Sequence, residues 1–160
     1  MEIRKILEYA LAREHMGKTF FLENAEKLQS AAAASAFKTI AAEEQKHIDF
    51  INSLVKTMNG SETAKSPQLP KAGFFADRAN SESIDQTVSE SMVSDLPVLR
   101  MAYLIEHDFV EFYASAAQQA EGEAKKLLEM LAKWESSHES LFKRMHDKLF
   151  EMYSNMPWGG

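Results

Sequence analysis

Cysteine is absent from the 160 residues, which excludes disulfides, thiolate zinc sites, iron–sulfur clusters and thiol nucleophiles. Proline and glycine are scarce, at four and six residues, so long stretches contain no breaker and the chain reads as helical. Basic clusters are missing too. With a formal net charge of −6, the chain offers little to nucleic acid or an anionic membrane. No apolar run approaches the ~18 residues of a membrane span. The opening MEIRKILEYALAREH is broken by charge every few residues and offers no signal-peptide core. The expectation is a cytoplasmic chain without nucleic-acid or membrane partners. Its length suits one domain, residues 1–160, with a single sizeable core.

What is present is helical periodicity. Four segments, about 3–29, 33–58, 96–120 and 123–154, carry inward stripes at alternating steps of four and three. The first runs Leu7, Leu11, Glu14, Lys18, Phe21, Ala25, Leu28, and the second runs Phe37, Ile40, Glu44, His47, Ile51, Leu54, Met58. The third holds Leu99, Tyr103, Glu106, Val110, Tyr113, and the fourth Leu131, Glu135, His138, Phe142, Met145, Leu149. Charged and imidazole groups stand in the middle of every stripe, where burial is unfavourable unless they are paired or bind metal. Residues 59–95 form the connection between the second and third helices. It opens with NGSETAKSPQLPKAG (59–73), a loop composition; FFADRAN (74–80) reads as a short helix capping the bundle. Ser94 or Asp95 is the expected N-cap of the third helix, with Pro97 in its first turn. Neighbouring antiparallel helices are joined by ~2–8 residues, so so long a link implies a crossover along the bundle.

The two halves repeat. EHMGKTFF (14–21) matches EHDFVEFY (106–113); Glu14 precedes Glu44 by 30 residues and Glu106 precedes Glu135 by 29. On one continuous helix such pairs would lie ~45 Å apart. A hairpin at the midpoint brings them face to face. Gly122 supplies a helix stop near the second midpoint, whereas the first turn, at Gln29-Ser30, follows from the symmetry alone.

Glu44 and His47, like Glu135 and His138, are three residues apart and share a helix face. One such pair is ordinary helix surface, and a structural polar layer is the bland alternative. Two pairs, each preceded at matched distance by an inward glutamate, define six candidate metal ligands: Glu14, Glu44, His47, Glu106, Glu135 and His138. Four carboxylates balance two divalent ions, and oxygen-rich ligation with two nitrogens suits iron or manganese. His15 and His107 follow the lone glutamates by one residue, a step of ~100° that turns them off the seam. His146 is assigned to the surface, and the methionines read as core filler, with no haem. Lys18 is the odd seam residue: its stem is expected to pack while its ammonium reaches solvent or a surface carboxylate.

At these residues the chain resembles the rubrerythrin-related, ferritin-like diiron carboxylate proteins, over nearly its whole length. The resemblance implies an all-α, ferritin-like four-helix bundle with a long crossover between helices 2 and 3, built from two helical hairpins. It implies two iron ions (manganese being the alternative) and an oxidoreductase acting on dioxygen or hydrogen peroxide, ferroxidase- or peroxidase-like, with Fe(II) or a separate electron-donor protein as reductant. Glu14, Glu44, Glu106 and Glu135 would be the catalytic carboxylates, with Tyr113 as a second-layer donor, and the assembly a homodimer. Two alternatives are a non-catalytic iron-storage bundle and a hydroxylase of an organic substrate, with Phe21, Phe109 and Phe112 lining its pocket. Three departures stand out. Phe109 replaces a second carboxylate three residues past Glu106; Phe21 replaces one of two expected tyrosines; and the absence of cysteine leaves no rubredoxin-like domain.

Overall fold

The computed structural model describes residues 3–58 and 90–157. Four helices carry the fold: α1 (Ile3–Ala25), α2 (Ala31–Met58), α3 (Asp95–Gln118) and α4 (Gly122–Ser154), with a 3₁₀ turn at Glu90–Ser94 leading into α3. They form a ferritin-like four-helix bundle of two hairpins, α1–α2 and α3–α4. The expected crossover and the capping helix at 74–80 fall within 59–89, outside the described residues. No helix among the described residues is long and apolar enough to cross a membrane.

Two apolar clusters fill the bundle, one toward each end. One gathers Phe21, Phe37, Phe142, Ile40, Leu99 and Leu149 around the α1–α2 turn and the start of α3. Its three phenylalanines meet at ring-centroid distances of 5.1–5.4 Å, one pair stacked and two edge-on, geometries that add about 0.5–1.5 kcal/mol per pair beyond area burial. The other cluster holds Ile6, Leu7, Phe50, Ile51, Tyr113 and Leu131. Because the start of α3 lies with the start of α2, and their far ends also meet, the two helices run parallel. The link from Met58 to α3 therefore begins at one end of the bundle and ends at the other.

Helix ends differ from the periodicity by a few residues. α1 stops at Ala25, four residues short of its expected end, and α2 starts at Ala31. Ser30 explains the start: its Oγ accepts the Ala33 N–H at 3.3 Å, a side-chain cap. Of the two expected caps of α3, Ser94 and Asp95, the second sends its carboxylate across to the other hairpin. There it accepts the Gln29 N–H at 2.8 Å and the Ser30 N–H at 2.7 Å. Ser94 stands at the N-cap position in helical geometry and makes no capping bond with its side chain, because the 3₁₀ turn already runs into α3. Gly122, expected to stop the third helix, instead opens α4. The preceding helix ends at Gln118, and Gly122 takes a φ of 60°, a conformation open to glycine.

Asp95, at 1% exposure, thus ties the hairpins together at one end. Asp95→Ala is expected to lower stability by about 3 kcal/mol, the scale of two hydrogen bonds to a charged group. Asp95→Asn should lose less. Urea unfolding measures both, and a loss below about 1 kcal/mol for the alanine variant would contradict the assignment.

Candidate metal centre

Between the two apolar clusters lies a polar layer. Glu14, Glu44, His47, Glu106, Glu135 and His138 all turn inward there, and none is more than 3% exposed. Each helix contributes at its own mid-length, because the hairpin turns fall halfway between matched glutamates. All six residues singled out by the sequence converge on one point of the bundle.

The contacts sort into two halves. His47 Nδ1 lies 2.9 Å from Glu135 Oε1, 3.3 Å from Glu14 Oε2 and 3.7 Å from Glu44 Oε2. His138 Nδ1 lies 3.1 Å from Glu44 Oε1, 3.2 Å from Glu135 Oε2 and 3.6 Å from Glu106 Oε2. Glu44 and Glu135 therefore each turn one oxygen toward each histidine, while Glu14 and Glu106 serve one side only. The same division appears in the ligand atoms that lie within 4.8 Å of one another: Glu14, Glu44, His47 and Glu135 form one group, and Glu44, Glu106, Glu135 and His138 the other. Two groups sharing Glu44 and Glu135 could hold two adjacent cations, and those two carboxylates would serve both.

The donor chemistry fits divalent cations. Apart from the two imidazole Nδ1 atoms, the buried oxygens of Glu44, Glu106 and Glu135 meet no well-oriented hydrogen-bond donor, an unfavourable arrangement for an apolar core. Cations would satisfy them, and four carboxylates with two imidazoles match iron or manganese. Without cations, protons have to neutralise the layer. Burial, followed by the neighbouring Glu44 charge, pushes the Glu14 carboxyl up to about 7. Burial also drives Glu106 well above the ordinary carboxylate range, although His138 opposes it. For Glu44 and Glu135 burial acts in the same direction, but contacts that include His47 and His138 outweigh it and leave both lowered. Burial disfavours the imidazolium forms, yet Glu135 beside His47 and Glu106 beside His138 raise both histidines well above 6.5.

Tyr113 donates its hydroxyl to Glu14 Oε1, from α3 to α1, while burial and then the Glu14 charge hold the phenol well above its ordinary range. The matched residue in the first hairpin, Phe21, stacks on Phe142 at 5.2 Å. One terminal carboxylate thus has a phenol behind it, and Glu106 accepts no hydrogen bond.

A family model for rubrerythrin matches residues 5–146, nearly the whole chain. The chain belongs to the rubrerythrin family. Among solved structures, a hypothetical protein from Pyrococcus furiosus is 21% identical, with 94% of this chain and 92% of that one covered at a TM-score of 0.68; this likeness speaks to the fold. No curated protein matches the chain. Within the rubrerythrin frame, the buried glutamate–histidine cluster is compatible with a dinuclear metal site.

The remaining polar candidates lie outside this layer. His15 is exposed. His107 pairs on the surface with Glu139 at 2.9 Å, and His146 with Asp147 at 3.0 Å. The Lys18 ammonium donates to Gln45 Oε1 at 2.6 Å, an amide in place of the expected solvent or carboxylate. Gly17 takes the inward position in that turn. Two neighbours of the layer carried no signal in the stripes. Gly17 leaves room for the Phe109 ring, which would lie 3.0 Å from a Cβ placed there. Trp134 stacks on His47 at 5.0 Å; its only signature in the sequence is a lone aromatic in the polar stretch KWESSHES.

The proton inventory sets a pH dependence. Glu14, His47 and His138 bind protons more tightly folded than unfolded, so they stabilise the metal-free protein at low pH. That stabilisation fades as pH rises through about 7 for Glu14 and through the higher folded values of the histidines. The metal-free protein should therefore melt at a lower temperature at pH 8 than at pH 6. Metal binding should release protons, so affinity should rise over the same interval. Thermal melts with and without Fe(II), and proton release in weak buffer, test this; melting temperatures with the same pH slope in both forms would contradict it.

Proposed function

We propose that this protein is a dinuclear iron oxidoreductase that oxidises Fe(II) with dioxygen or hydrogen peroxide. The carrying observation is the pair of ligand groups joined through Glu44 and Glu135. In each bridge, the two oxygens face opposite histidines. Two iron ions held there would supply two one-electron oxidations at adjoining positions, matching the two-electron reduction of peroxide. Manganese is the alternative metal for the same donor set.

The chain's own groups serve that chemistry in distinct ways. Glu44 and Glu135 hold both positions together. Glu14 and Glu106 close the two ends, and His47 and His138 add one nitrogen to each. Tyr113 fixes the Glu14 carboxylate by donating its hydroxyl, and its strongly raised pKa keeps that proton in place near neutral pH. The buried layer keeps bulk water from the ligands. Fe(II) itself, or a separate donor protein, would return the electrons.

A small oxidant is favoured over an organic substrate by Phe109. The residue is 3% exposed, and its ring lies against Gly17, where an added Cβ would also stand 4.0 Å from Glu44 Oε2. The Arg13 guanidinium sits 5.2 Å from the same ring centroid. A bulky substrate approaching the ligands past Gly17 would have to displace this ring.

Glu44→Ala and Glu135→Ala should each reduce tight Fe(II) binding from two ions per chain to one or none, as anaerobic titration would show. Retention of two tight ions in both variants would end the proposal. Phe109→Ala should leave two ions bound and raise the rate with tert-butyl hydroperoxide at least tenfold relative to hydrogen peroxide. An unchanged ratio would remove Phe109 as the size filter.

A further inference from the structure

Three rings stack in sequence across α4 and α2. The Trp134 indole faces His47 at 5.0 Å between centroids and 13° between planes, and His47 faces His138 at 5.5 Å and 11°. Phe50 braces the indole from the side at 5.7 Å and 67°. Trp134 is half-buried, whereas the ligands are at most 3% exposed. The stack therefore leads from a partly solvent-exposed, oxidisable ring to the interior of the ligand layer. Trp134 also precedes Glu135 directly, so one turn of α4 fixes the ring and a bridging carboxylate together.

From this geometry we propose that Trp134 is an auxiliary electron donor, acting through His47 when the site meets peroxide with only one Fe(II) in place. This inference rests on the diiron reading above. Hydrogen peroxide needs two electrons and two protons to become two waters. One electron comes from the single Fe(II), which becomes Fe(III); the second comes from Trp134, whose indole becomes a radical cation; solvent supplies the protons. Tyr113 is the competing source, but its hydroxyl proton faces Glu14. Its oxidation would push that proton onto a ligand carboxylate and weaken the hold on the ion. Trp134 loses an electron without protonating a ligand, and its exposed edge can take up an electron again from solution.

The chain holds two tryptophans, so Trp158→Phe leaves Trp134 alone. Protein loaded with one Fe(II) per chain is mixed with hydrogen peroxide, frozen within milliseconds and examined by electron paramagnetic resonance. A tryptophan radical is expected in Trp158→Phe, with its hyperfine pattern narrowed by ring-deuterated tryptophan. Trp134→Phe should lower that signal at least tenfold while binding the same amount of Fe(II). Ferric iron formed without a tryptophan signal, a signal unchanged in Trp134→Phe, or a tyrosyl signal abolished by Tyr113→Phe would each overturn the donor role. Failure of the parent protein to bind or oxidise Fe(II) would overturn the diiron reading, and the donor role with it.

Discussion

Four carboxylates buried side by side at mid-bundle are the constraint around which this structure is organised. Like charges this close, shielded from water, repel strongly unless protons or cations intervene. Burial raises Glu14 and Glu106, so in the absence of cations protons on these carboxyls and on the two imidazoles would neutralise the layer. Two cations would do the same with stronger ligation. The apolar clusters above and below the layer hold the helices in register, so the carboxylates cannot relax apart. Without cations the fold would be loaded against itself at its centre, with support from its ends.

The support is uneven. Tyr113 stands behind Glu14, while the symmetric place is taken by Phe21, committed to the phenylalanine cluster. Glu106 faces His138 at 3.6 Å with no hydrogen bond behind it. An outer hydrogen bond that orients a ligand tightens metal binding, so cations held by the two groups would be bound unequally although the ligand types match. The stack of Trp134 on His47 adds a second asymmetry on the better-supported side. The repeat seen in the sequence thus yields a centre that is symmetric in ligands and asymmetric in surroundings.

Much of this was legible in the sequence because it is periodic. Glu14, Glu44, Glu106 and Glu135 lie on seams that repeat with the helical turn, and matched separations of 30 and 29 residues require hairpins between them. The Tyr113–Phe21 difference was also visible as a residue difference at equal positions. What escaped were contacts that depend on rotation between helices rather than along one. Asp95, one of two candidates for a local cap beside Ser94, instead holds Gln29 and Ser30. Lys18 occupied a seam position, yet a small rotation of α1 gave that place to Gly17. Gly17 makes room for Phe109, and Trp134 meets His47 across two helices; one-dimensional spacing does not encode either contact.

The most direct test is anomalous diffraction at the iron absorption edge from crystals grown with Fe(II). Two peaks are predicted at mid-bundle, both flanked by Glu44 and Glu135, one near Glu14 and His47 and the other near Glu106 and His138. A single peak, or iron only at surface carboxylates such as Glu139, would contradict the account.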